Sequence, residues 1–104
     1  MTEYQININF KEAMRKADRL EEIADNIKNM ADSDLEREMN AIRANWKGEN
    51  AENYLRKTDT VRGKMRKTAD NLKKIARTIR TIATNTYNAE MRALEIARVQ
   101  AGGS

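Results

Sequence analysis

The chain has 104 residues, a net charge of +4, no His, no Cys and no Pro. Without thiols or imidazoles, thiolate nucleophiles, Cys/His zinc sites, imidazole acid–base catalysis and the Glu-x-x-His di-iron site are excluded. Charged residues make up 35% and aromatics 5%, which leaves little for a wide core and favours narrow apolar stripes on long helices.

The opening MTEYQININF carries an acid and amides where a secretory signal needs a basic region and an apolar run. No stretch approaches the ~18 apolar residues of a membrane span. The alternation in YQINI predicts a short strand or an extended lead-in that packs Ile6 and Ile8 onto the next element. Asn9, with Glu12 at the third helical position, reads as the cap of a first helix over about 10–44. Phe10, Leu20, Ile27, Leu35 and Ile42, interleaved with Ala13, Met14, Ala17, Ala24, Ala31 and Met39, recur at helical intervals. Asp32-Ser33-Asp34 are poor helix formers and predict a kink or local fraying.

A turn is predicted at 45–48. Gly48 takes positive φ without penalty, and Trp46, the only tryptophan, folds over both helix ends to cap the apolar seam. A second helix follows over about 49–98. Residues Tyr54, Thr58, Val61, Met65, Thr68, Leu72, Ile75, Ile79, Ile82, Thr86, Ala89, Ala93 and Ile96 alternate spacings of four and three, a heptad seam for coiled-coil-like packing. Gly63 lies off that seam, and residues 101–104 form a flexible tail.

Residues 18–38 hold eight acids against three bases, whereas residues 56–80 hold ten bases against two acids. Folding about Lys47 sets residue n beside residue 94 − n and brings the acidic block onto the basic one. On this register the end of helix 2, with Tyr87, Met91, Leu94, Ile96 and Val99, overhangs helix 1 and needs a partner. The predicted fold is all-α, one hairpin domain over 1–100: an antiparallel helix–turn–helix of two long helices that dimerises into a four-helix bundle.

Among functional features, the basic segment 56–80 reads first as a solvated face matched to the acidic helix, because stacking aromatics are missing from it. Carboxylates at helical spacing arise by chance on so acidic a helix, and no loops enclose a substrate, so no enzyme is predicted. Met14, Met30, Met39, Met65 and Met91 read as adaptable core filling, with Met91 also placed for a partner groove.

Trp46-Lys47-Gly48 at the centre of about a hundred residues, between two helices, resembles the WXG-100 family of small early-secreted-antigen-like proteins. The resemblance implies a hairpin that forms a homodimer or heterodimer with a related helical hairpin, and leaderless export through a type VII secretion system after synthesis in the cytoplasm. It implies a secreted effector or a targeting partner of a larger toxin, with Trp46 and Gly48 contributing to recognition by the secretion ATPase. No cofactor is implied. The family's export signal is Tyr-x-x-x-Asp/Glu; here Glu90 falls three residues after Tyr87 and Met91 four after it, so Tyr87, Glu90 and Met91 are the candidate signal. The competing expectation is a cytosolic helical module that binds nucleic acid or anionic membrane through residues 56–80.

Overall fold

A computed structural model describes residues 1–103. Two long helical arms form a hairpin, with no strand among the described residues. The first arm consists of α1 (Glu3–Asn29), one π-helical turn (Met30–Asp34) and α2 (Leu35–Asn45). The second arm is a single helix of 55 residues, α3 (Glu49–Gly103). The predicted tail therefore continues α3 as far as Gly103, and Ser104 lies outside the described residues.

The first helix starts earlier than Asn9. Thr2 and Gln5 make a reciprocal capping box: the Gln5 N–H donates to Thr2 Oγ1 at 3.2 Å and the Thr2 N–H donates to Gln5 Oε1 at 3.3 Å. With its first donors satisfied, YQINI winds into helix rather than staying extended. Ile6, only 2% exposed, joins the stripe that continues at Phe10, four residues on. The earlier start also removes the predicted overhang. Glu3 pairs with Arg98, and Phe10 stacks on Tyr87, so the start of α1 lies against the C-terminal part of α3.

The interruption expected at Asp32-Ser33-Asp34 is a π turn, closed by the Leu35 N–H on the Met30 carbonyl. Its cause lies in the spacing of the stripe. Ala17, Ala24 and Ala31 follow at sevens, but position 38 is an exposed Glu and the next buried residue is Met39. One extra residue in the turn brings Met39 onto the seam.

The chain divides into two contact units, each with its own core. The first joins Met1–Leu20 to the part of α3 from Lys74 onward; it buries Ile6, Ala17, Ala76 and Ala83 and pairs Asp18 with Arg80 at 2.7 Å. The second, Glu21–Lys73, buries Ala24, Ala31, Met39, Ala51 and Ala69. It pairs Asp25 with Lys73 at 2.9 Å, Asp32 with Arg66 at 2.6 Å, and Glu36 with Arg62. Arg62 also donates to Asp59 at 2.7 Å, while its buried Nε finds no acceptor.

The acidic and basic blocks meet as charge predicted, but on a shifted register. The four cross-arm pairs from Asp18 to Glu36 set residue n beside 98 − n rather than 94 − n. Helical side chains lean toward their own N-terminus. An acid on the first arm therefore leans away from the turn and meets a base placed further along α3, whose side chain leans back.

At the turn, Trp46 is extended (φ −132°, ψ 123°), and its N–H donates to the Ile42 carbonyl at 2.8 Å. Gly48 adopts φ +115°, and its carbonyl accepts the Glu52 N–H that opens α3. The indole stays 46% exposed and lies against the Tyr54 ring, with centroids 6.1 Å apart.

Four outcomes test this description. Deleting Ser33 restores a seven-residue step from Ala31 to Met39. It should leave the thermal midpoint within about 5 °C, whereas deleting Glu22 turns the seam off its face and should lower it by more than about 10 °C. Gly48→Ala forces an L side chain into positive φ and should cost roughly 1–3 kcal/mol in urea unfolding. Gly63→Ala, where an added Cβ meets nothing within 4 Å, should stabilise by about 0.5–1 kcal/mol. Finally, the hydrogen bond from Lys73 to Asp25, reinforced by the charge of Asp25, holds the ammonium above its ordinary pKa of 10.5 against partial burial. A raised folded value gives stability that is full below the unfolded pKa and lost as pH rises through the folded one. The stability difference between wild type and Lys73→Gln should thus stay constant up to about pH 10 and shrink above it; a difference unchanged to high pH would refute the pair's contribution.

Candidate functional site

The sequence-predicted site residues fall into three places. The first is a groove in the unit formed by residues 1–20 and the C-terminal part of α3. It has a volume of about 250 Å³ and is lined by Ile6, Asn9, Phe10 and Ala13 from α1 and by Ile79, Ile82, Ala83, Thr86, Tyr87 and Glu90 from α3. Phe10 and Tyr87 form its floor as a tilted ring pair with centroids 5.0 Å apart. Tyr87 and Glu90 are both half-buried and line the same groove, because third neighbours share a helix face. Met91 is half-buried and is not part of the groove lining. A second groove in this unit is lined by Met1, Ile6, Glu90, Ala93, Leu94 and Ala97. Among the residues expected to overhang, Met91 and Leu94 are half-buried by the hairpin itself, and Ile96 remains 53% exposed.

The second place is the turn, where Trp46 and Gly48 take the roles described above, with Tyr54 as the indole's neighbour.

The third is the seam, which the structure splits. Phe10, Leu20, Ile27, Leu35, Ile42, Met65, Leu72 and Ile79 are half-buried between the arms. Tyr54, Val61, Ile75 and Ile82 are about half exposed. The residues that close the hairpin most tightly on α3 are Ala69, Ala76 and Ala83, each one position after Thr68, Ile75 and Ile82. One residue is about 100° of helical rotation. α3 therefore carries two adjacent apolar edges, a small one facing its own first arm and a large one facing outward. The heptad pattern of α3 points to the larger residues and passes over Ala69, Ala76 and Ala83, although Ala17, Ala24 and Ala31 are read into the stripe of the first arm. Their signal was present as two runs at seven-residue spacing, Ala17-Ala24-Ala31 and Ala69-Ala76-Ala83.

Charge divides in the same way. Arg62, Arg66, Lys73 and Arg80 are tied to the acidic arm. Lys57, Lys64, Lys67, Lys74 and Arg77 are exposed and make no ion pair among the described residues. No three carboxylates converge in a way that would hold a metal ion among the described residues, and no helix is long and apolar enough to cross a membrane.

No curated protein and no solved structure matches the chain. Residues 5–91 match the family described as proteins of 100 residues with WXG. That span takes in α1 from Gln5 onward, the Trp46–Gly48 turn, and Tyr87 and Glu90. On that match, over a hairpin whose turn is Trp-Lys-Gly, the chain belongs to the WXG100 family.

Proposed function

We propose that this protein is a non-enzymatic substrate or targeting partner of a type VII secretion system, working as a dimer of hairpins, with Tyr87 and Glu90 as its export signal. The family supports the general reading, since its members are small helical secreted proteins that typically pair as hairpin dimers. Synthesis in the cytoplasm, recognition of Trp46 and Gly48 by a secretion ATPase, and delivery alone or beside a larger toxin complete the proposal.

The observation that carries it is the shared groove. The spacing of Tyr87 and Glu90 is one residue shorter than Tyr-x-x-x-Asp/Glu, yet both side chains line one depression beside Phe10. A receptor that reads an aromatic ring and a carboxylate on one helix face finds both here.

Surface area supports pairing. The chain exposes 7700 Å², whereas a compact monomer of its mass exposes about 6000 Å². The excess is of the size that each partner buries in an obligate dimer. The alternative, polyanion binding through residues 56–80, is weakened because four of the strongest candidates already neutralise the acidic arm.

The test is export from a host with an active type VII system. Glu90→Gln and Tyr87→Ala should each lower the protein in the culture supernatant by about tenfold or more while intracellular protein persists; Tyr87→Phe, which keeps the ring stack, separates loss of the hydroxyl from loss of the groove floor. Supernatant levels equal to wild type for both Glu90→Gln and Tyr87→Ala would remove these residues as the signal.

A further inference from the structure

We infer that the unit built from residues 1–20 and from α3 from Lys74 onward carries a docking surface for an acidic segment of another protein, centred on Lys11, Arg15 and Arg77.

The net charge is not spread along the hairpin. Residues 21–73, the unit that contains the turn, hold eleven acids and eleven bases. Residues 1–20 and 74–104 hold nine bases against five acids, so the whole excess of +4 sits in this one unit. Here Asp18 is tied to Arg80, and Glu3 and Glu95 are tied to Arg98. Lys11, Arg15, Lys74 and Arg77 are exposed and make no ion pair among the described residues. An uncompensated surface of one sign attracts a partner of the other.

Three shallow depressions adjoin on this surface. One, of about 290 Å³, is lined by Phe10, Lys11, Met14, Arg15 and Asp18 of α1. Asp18 bonds Arg80 at 2.7 Å, and Arg80 lines the second, of about 270 Å³, with Thr81, Thr84 and Asn85. Thr81 also lines the third, which adds Lys74 and Arg77. The band therefore carries five bases against a single acid that is already paired. Arg77, Thr81 and Thr84 follow at steps of four and three, so a guanidinium and two hydroxyls share one helix face. That donor set fits carboxylates.

The occupant follows from what the band lacks. Phe10 is stacked on Tyr87 and Met14 is half-buried, so the α1 end presents a hollow between two cations rather than a projecting ring. Single-stranded nucleic acid would find no open aromatic face on which to stack. An interfacial membrane contact sets a broad apolar face beside its cations, whereas the middle of this band is Thr81, Thr84 and Asn85. A second copy brings one neutral unit and one basic unit, neither complementary in charge. An acidic segment with an apolar side chain satisfies both needs, the chain in the hollow and the carboxylates on Lys11, Arg15 and Arg77.

The probe is a fluorescein-labelled helical peptide of Leu, Ala and Glu, read by anisotropy against the full chain. Affinity should fall by at least about tenfold between about 0.01 and 0.1 M salt, as the Debye length contracts from about 30 to 10 Å. Arg15→Gln combined with Arg77→Gln should weaken binding by about tenfold or more. Lys57→Gln combined with Lys64→Gln removes the same charge from the other unit and should change it by less than about twofold. None of these four side chains makes an ion pair among the described residues, so both variants should keep the wild-type thermal midpoint. Absence of binding at low salt, equal losses in the two double variants, or equal binding of a peptide with Gln at every Glu position overturns the proposal. So does tighter binding, dependent on Arg15 and Arg77, to duplex DNA or to phosphatidylglycerol vesicles, which would assign the band to nucleic acid or to lipid.

Discussion

Alanine at every seventh position has one strong structural effect: it lets another helix come close. Ala17, Ala24 and Ala31 on the first arm and Ala69, Ala76 and Ala83 on α3 are all buried, with relative exposures of 8% or less. Their side chains carry almost no rotamer entropy to lose, so the arms pack at little cost in order. They also bury little area each, and among the described residues the only large side chains that are fully buried are Ile6 and Met39. The hairpin is therefore held by proximity along a line rather than by the volume of a core. The π turn follows from this constraint, since without its extra residue the seam would pass from Ala31 to the exposed Glu38.

Close packing along a uniform line does not specify register, because a slide of seven residues sets alanine against alanine again. The ion pairs remove that degeneracy. Asp18, Asp25 and Asp32 repeat at seven and meet Arg80, Lys73 and Arg66, which repeat at seven in the opposite direction. Each exposed pair contributes little by itself. A slide, however, pulls the ends of both charged blocks out of alignment, and near the turn it strands Arg62 away from Glu36. Apolar contact supplies the cohesion of this fold, and charge supplies its alignment.

Much of this was legible in the residues. The helical arms, the turn at Trp46–Gly48, the weak point at Asp32–Asp34 and the facing charge blocks follow from composition, turn chemistry and charge pattern. Three things did not follow, each for a physical reason. The start of α1 was hidden because YQINI alternates like a strand, and only the reciprocal bonds of Thr2 and Gln5 show which pattern prevails. The ion-pair partners were off by four residues because counting from the turn ignores the lean of side chains along a helix. The alanine edge of α3 was passed over because hydropathy weights Ile, Val and Tyr above Ala, whereas close approach of the arms selects for smallness. Once α1 is seen to reach back to Glu3, Tyr87 changes from a residue waiting for a partner into the floor of a groove.

The two edges of α3 then explain why a family of secreted proteins would retain so thin a hairpin. The alanine edge closes the monomer and fixes its alignment but leaves total burial small. The isoleucine edge, one residue around the helix, stays open in the single chain. Anything that covers it adds to stability by mass action, because it binds the folded hairpin and not the unfolded chain. A partner on that edge would thereby link folding to association. The Tyr87–Glu90 groove shares Ile82 with the open edge, so covering the edge would also reshape one wall of the groove.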